Sequence, residues 1–187
     1  MILSDKTIQH KLQTGDIVID PIPTLDQIQP ASIDLKLGNE FLLPHIDQTI
    51  DVKNASPRYE PLKCNVLQLP PKAFVLGTTI EKVKLPSNLI GRVEGRSSIG
   101  RLGVAIHITA GFIDCGFEGQ ITLEIANLSH NPIMLYENMR ICQIVFEEVD
   151  TTPNRIYGEA GNKYQGQTGV TGSLIYYDND TNKFGVE

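Results

Sequence analysis

From Gly15 onward the chain is written in short β-type runs, most of them bounded by a proline or a glycine. The runs are DIVID, SIDLKLG, EFLLP, KAFVLGTT, VKLP, LIGRVEG, GVAIHIT, QITLEIANL, NPIMLY and ICQIVFEEV. Short strands with so little helix between them can bury their apolar faces only by folding back on one another. The pattern predicts a mainly β chain of the sandwich, jelly-roll or barrel type. One short helix precedes it. Ser4 can cap DKTIQHKLQT, Asp5 suits its positive end, Gly15 supplies the left-handed stop, and Ile8 and Leu12 form the buried stripe.

No repeat, low-complexity tract or linker interrupts the 187 residues, so the chain reads as a single domain over 1–187. Its tail, about 151–187, is glycine-rich and poor in apolar residues, which suits a lid. A composition 41% hydrophobic and 20% charged is that of an ordinary soluble protein. No apolar run approaches the roughly 18 residues of a membrane span, so no membrane partner is expected. The opening MILSDKTIQHKL lacks the apolar core of a signal peptide. A net charge of −6 offers no basic face in bulk, which argues against nucleic acid as a partner. Cys64, Cys115 and Cys142 are isolated and odd in number, so a reducing, cytoplasmic location is expected rather than a disulfide framework.

The stretch GRSSIGRLGVAIHITAGFIDCGFEGQITLEI concentrates the polar groups that could do chemistry. A zinc nucleobase deaminase needs H-x-E and a later P-C-x-x-C, and neither occurs here, so no structural or catalytic zinc is expected. G-x-S-x-G is absent too, and nothing in the sequence activates a cysteine nucleophile. What GRSSIGR offers is a phosphate cradle. Arg96 and Arg101 supply planar donors, Ser97 and Ser98 add hydroxyls, and Gly95 and Gly100 admit an anion close to the backbone. Solvated arginines on a loop are the plainer alternative.

In QITLEIA, strand alternation places Ile121, Leu123 and Ile125 on one face and Thr122, Glu124 and Ala126 on the other. If the second face lines a pocket, Glu124 is a partly desolvated carboxylate suited to proton shuttling; if it faces solvent, it is unremarkable. Asp114 stands near a turn, where it could serve a ligand or merely cap its own backbone. His107 reads either as a buried, hydrogen-bonded strand histidine or as a neighbour of substrate.

Taken together, QPASIDLKLG, GRSSIGRLG, HITAGFIDCGFEG, ITLE and the tail motif KYQGQ resemble the dCTP deaminase family, the zinc-independent branch of the trimeric dUTPase superfamily. The resemblance runs in order from MILSD to about Ser173. It implies a distorted β-barrel or jelly-roll subunit of the dUTPase-like type and a homotrimer with active sites at subunit contacts. It also implies Mg²⁺ bound with the nucleotide triphosphate. Carried over by position, Arg96, Ser97, Ser98, Ile99, Gly100 and Arg101 become the phosphate loop, Asp114 the deoxyribose contact, and Thr122, Leu123 and Glu124 the strand at the base. Gln143, Tyr157, Lys163 and Gln167 become further nucleotide contacts. Glu124 takes the place of the catalytic acid/base, while Ser97, Arg101, Ala110 and His107 fall near the attacking water.

The implied reaction is hydrolytic deamination of dCTP, with Glu124 taking a proton from water and returning it to the departing ammonia. Such a group contributes about 10²–10⁴-fold. Family members that release dUTP carry a bulky His-Arg pair after T-A, whereas this chain has Gly111-Phe112. The pair resembles the bifunctional members, in which dCTP and two waters give dUMP, ammonia and diphosphate. Three alternatives remain open: a monofunctional deaminase releasing dUTP, a plain dUTPase, and a catalytically silent nucleotide-binding module. Feedback inhibition by dTTP is a further expectation from the family.

Overall fold

A computed structural model describes residues 1–52, 57–159 and 161–178. Helix α1 (Asp5–Thr14) leads into a chain of strands. These are β1 (Val18–Asp20), β2 (Ile28–Gln29), β3 (Ser32–Pro44), β4 (Tyr59–Lys63), β5 (Val66–Leu69), β6 (Phe74–Lys84) and β7 (Leu89–Gly95). The single turn α2 (Ser97–Gly100) follows, then β8 (Val104–Ala105), β9 (Phe112–Ile113), β10 (Glu118–Asn127), β11 (Ile133–Tyr136) and β12 (Arg140–Glu148).

Ten of these strands form one curled antiparallel sheet, with a spine in the order β8-β10-β6-β3-β12-β7-β9. Strands β1, β2 and β4 pair onto that spine, and β11 with β5 makes a separate two-stranded antiparallel sheet. The thirteen-residue β3 is the seam, because it bonds to β6 on one side and β12 on the other. Ile33, Leu35 and Leu37 of β3 pack with Phe146 and Ile144 of β12 and with Leu123 and Ile125 of β10 in one continuous core.

Two pairs of expected strands are fused: SIDLKLG with EFLLP in β3, and KAFVLGTT with VKLP in β6, which runs from Phe74 to Lys84. Register shifts on β3 between Leu37 and Phe41, and on β10 between Gln120 and Thr122, mark where the sheet bends. GVAIHIT behaves differently. Only Val104–Ala105 pairs with β10, after which the chain leaves the sheet. The backbone N–H groups of Ile108 and Thr109, which a ladder would use, donate instead to the Glu124 carboxylate. At α1, Gly15 is left-handed (φ 79°) and Ile8 is fully buried. Ser4 occupies the N-cap position without a side-chain capping bond, and its carbonyl accepts from Ile8 N–H at 2.9 Å.

Candidate active site

Strand β10 keeps the expected alternation as far as Ile125, beyond which Ala126 is buried as well. Ile121, Leu123 and Ile125 are buried, and Thr122 and Glu124 face a cavity of about 370 Å³. Ala110, Phe112 and Asp114 from the segment before β10 form a second wall, and Tyr157, Tyr164 and Gln167 from the tail close a third. Of the residues expected from the sequence, Ala110, Phe112, Asp114, Thr122, Glu124, Tyr157 and Gln167 line this one cavity.

Glu124 Oε2 accepts from Ile108 N–H at 2.7 Å and from Thr109 N–H at 3.2 Å. Two bonds on one oxygen fix the carboxylate's direction and leave the other oxygen to exchange protons. At Asp114 the turn is closed by the main chain, its carbonyl accepting from Phe117 N–H at 3.2 Å. The carboxylate therefore stays exposed on the cavity wall.

Gly111 stands directly behind that wall. A Cβ built there would lie 2.8 Å from the Val93 carbonyl oxygen and 3.0 Å from His107 Cε1. Gly111 C=O also accepts from Val93 N–H at 2.7 Å, so the segment is drawn against β7 too closely for any side chain. Among the described residues, His107 Nδ1 is buried with no hydrogen-bond partner.

The tail is laid along β10. Gly166 N–H donates to Glu118 C=O at 2.7 Å, Gln120 N–H to Gln167 C=O at 3.0 Å, and Thr171 N–H to Thr122 Oγ1 at 3.2 Å. Gly116 (φ 85°) permits the crossing at the start of this strap, because a Cβ there would run into Ile156. Tyr157 packs edge-on against Phe117 with ring centroids 5.8 Å apart, and burial raises its phenol above the ordinary value. Ala160 and residues 179–187 of the expected lid lie outside the described residues. Tyr59, Phe74, Tyr164 and Thr171 also line the cavity and were not singled out from sequence. Tyr164 lies inside the KYQGQ motif; the other three are separated from it in sequence and carry no local signal.

The remaining expected residues lie elsewhere. Ser97, Ser98, Gly100 and Arg101 are exposed on and beside α2, none of them on the cavity wall. Ile99 and Leu123 point into the core, so those positions can offer a ligand only their backbone. Arg96 is turned inward, with Nε 3.1 Å from Asp34 Oδ2. Gln143 donates to Gly95 C=O at 3.1 Å, and Lys163 Nζ pairs with Asp178 Oδ2 at 2.7 Å.

Among the described residues, no group of three or more His, Cys, Asp or Glu is placed to hold a metal ion. The cysteines are free, and burial pushes the Cys115 and Cys142 thiols up, keeping them protonated. No described helix is long and apolar enough to cross a membrane.

Comparison with known proteins identifies the family. A family model described as dCTP deaminase-like matches residues 2–149. A Methanosphaera stadtmanae protein named "dCTP deaminase, dUMP-forming" is 46% identical over 189 residues, with 96% of each chain covered. A Haloarcula marismortui protein named "dCTP deaminase" is 46% identical over 190 residues, covering 96% of this chain and 97% of that one. The fold is similar to the crystal structure of 2'-deoxycytidine 5'-triphosphate deaminase from Agrobacterium tumefaciens, with a TM-score of 0.64 at 22% identity. That likeness covers 79% of this chain, which spans about half (48%) of the larger chain. Matched by the family model along most of its length and by relatives along nearly all of it, the chain belongs to the dCTP deaminase-like family.

Proposed function

We propose that the chain converts dCTP to dUMP, releasing ammonia and diphosphate, in the cavity where Glu124 meets Ala110, Asp114 and the tail. The observation that carries this reading is the Glu124 carboxylate, held on one oxygen by two backbone N–H groups and facing that cavity. Relatives of 46% identity named as dUMP-forming deaminases support the choice of substrate and product.

Deamination requires water to add at C4 of cytosine and the exocyclic amine to leave as ammonia. Glu124 removes a proton from the water as its oxygen bonds to C4 and returns that proton to the departing nitrogen, while the remaining hydroxyl proton passes to N3 and the C4 carbonyl of uracil forms. The Ala110 carbonyl orients the water, with His107 behind it, and Asp114 takes the deoxyribose. Tyr157 and Gln167 hold the strap over the nucleotide and exclude bulk water. A second water then attacks the α-phosphorus of dUTP and diphosphate leaves. Close packing at Gly111 against Val93 and His107 sets the position of the Ala110–Phe112 wall beside which that water attacks.

Mg²⁺, bound by the triphosphate, supplies charge neutralisation. This suits a surface whose ligands for the phosphates are arginine and serine rather than a cage of carboxylates. Ser97, Ser98 and Arg101 lie outside this chain's own cavity, which supports a homotrimer in which one copy's α2 loop completes another's site. The reading places the enzyme in the cytoplasm with dCTP and dUTP as its small-molecule ligands and dTTP as a feedback inhibitor of the same site.

Glu124→Gln keeps an acceptor for Ile108 N–H and loses the proton carrier. Ammonia release from dCTP should fall about 10²–10⁴-fold while dCTP still binds. Near-normal ammonia release would remove Glu124 from the mechanism. Mixing Glu124→Gln with Arg101→Ala subunits should restore activity beyond that of either alone; no restoration would contradict shared sites. A second reading, a deaminase that stops at dUTP, is favoured by the equally similar relative named simply "dCTP deaminase".

A further inference from the structure

Arg96 immediately precedes α2, and its carbonyl accepts from Ile99 N–H and Gly100 N–H, both at 2.9 Å. Whatever fixes Arg96 therefore fixes the turn that presents Ser97, Ser98 and Arg101. Its guanidinium does not reach outward. Nε lies 3.1 Å from Asp34 Oδ2, and Nη1 donates to Arg140 C=O at 2.9 Å. Arg140 Nη1 comes to within 3.4 Å of the same Asp34 oxygen, so one carboxylate serves two guanidinium groups.

Asp34 is buried in the middle of the sheet, only 2% exposed, at the β3 position registered with Gln143 of β12. Gln143 makes a second clamp: its Nε2 donates to Gly95 C=O at 3.1 Å, and its Oε1 accepts from Ser32 Oγ at 2.7 Å. Gln27, itself buried, ties the strand down by donating to Asp34 C=O at 2.8 Å and to Glu81 Oε1 at 2.9 Å. Gly95 and Arg96 are thus gripped from inside by groups on β3 and β12.

A buried ion pair of this kind contributes little net stability, because desolvating the charges offsets their attraction. What it supplies is geometry: the Arg96 guanidinium can meet the Asp34 carboxylate and the Arg140 carbonyl together only when it is turned inward. We propose that Asp34 is a positioning residue for triphosphate recognition, setting the α2 loop through Arg96 while Gln143 fixes the Gly95 carbonyl. The inference rests on the nucleotide-triphosphate reading given above.

The test compares Asp34→Asn, Arg96→Lys and the double variant in the full-length protein, each checked for thermal unfolding and oligomeric state. Asp34→Asn keeps the shape and removes the charge. Its KM for dCTP should rise by about tenfold or more, with the pH profile of kcat unchanged, since Glu124 is untouched. Arg96→Lys keeps a charge without the fork and should raise KM similarly. The double variant should be no worse than the worse single, because the two residues act as one unit. A KM within about twofold of wild type in Asp34→Asn, or losses that add in the double variant, would overturn the proposal. Should Asp34→Asn not fold, Arg96→Lys decides alone, an unchanged KM overturning it. Calorimetric binding of inorganic triphosphate reads the same claim without turnover: weaker binding by Asp34→Asn is expected, and equal binding refutes it. Wild type that releases no ammonia from dCTP would sink the functional reading instead, so the two failures are distinguishable.

Discussion

Gly111 lies so close to Val93 that a Cβ on it would stand 2.8 Å from the Val93 carbonyl oxygen. That oxygen belongs to the backbone of β7, which is paired with β12 and β9, and cannot move aside as a side chain can. The wall carrying Ala110 and Phe112 is therefore set by contact between main chains, with the His107 ring as the neighbouring surface.

Gly111→Ala is expected to destabilise the fold by about 1–3 kcal/mol, the usual cost of forcing an extra carbon into close packing. It should also displace the wall and lower dUMP formation more than ammonia release, so that dUTP accumulates. Thermal unfolding and product chromatography on one preparation check both parts. An unchanged product ratio would separate Gly111 from the second hydrolysis.

The strap contributes bonds to β10 but no strand to the sheet. A chain ending just before Ile156 should therefore fold and keep its oligomeric state. Its turnover of dCTP should fall by at least about tenfold, because the wall formed by Tyr157, Tyr164 and Gln167 is gone and water enters. Unchanged turnover would show that the strap has no part in closing the site.

Glu81 is 1% exposed, and burial raises its carboxyl above the ordinary 4.5 despite hydrogen bonds from Lys36 N–H and the Gln27 amide. Between pH 4.5 and the higher folded value, the unfolded chain has released this proton while the folded chain still holds it. Glu81's contribution to stability is therefore fully present below pH 4.5 and is lost as pH rises through the folded value. Glu81→Gln has no such proton. The stability of the variant minus that of wild type should increase with pH from 4.5 upward, measured by denaturant unfolding at several pH values. A difference independent of pH would contradict the burial of an ionisable group here.

What the sequence made legible was local and periodic. Ile8 with Gly15 marked α1, and the Ile121-Leu123-Ile125 alternation put Glu124 on the opposite face of β10 from the core. Chemistry that depends on long-range geometry was less visible. GVAIHIT has strand composition, yet a carboxylate fifteen and sixteen residues away takes its N–H groups. β5 (VLQL) fell outside the expected strands because it is short and half exposed, and only its pairing with β11 reveals it. Arg96 reads as a phosphate ligand in GRSS, and nothing local announces that Asp34, sixty-two positions earlier, holds its guanidinium inward. The tail's glycines marked it as a cover, but its register on Gln120 and Thr122 is a matter of tertiary contact.

The most direct measurement incubates the purified protein with dCTP and Mg²⁺ and separates dUTP from dUMP while ammonia and diphosphate are assayed. The expected result is dUMP with ammonia and diphosphate in equal amounts and little free dUTP. Accumulation of dUTP would contradict the coupled reaction and leave a deaminase alone, and absence of ammonia would contradict deamination itself.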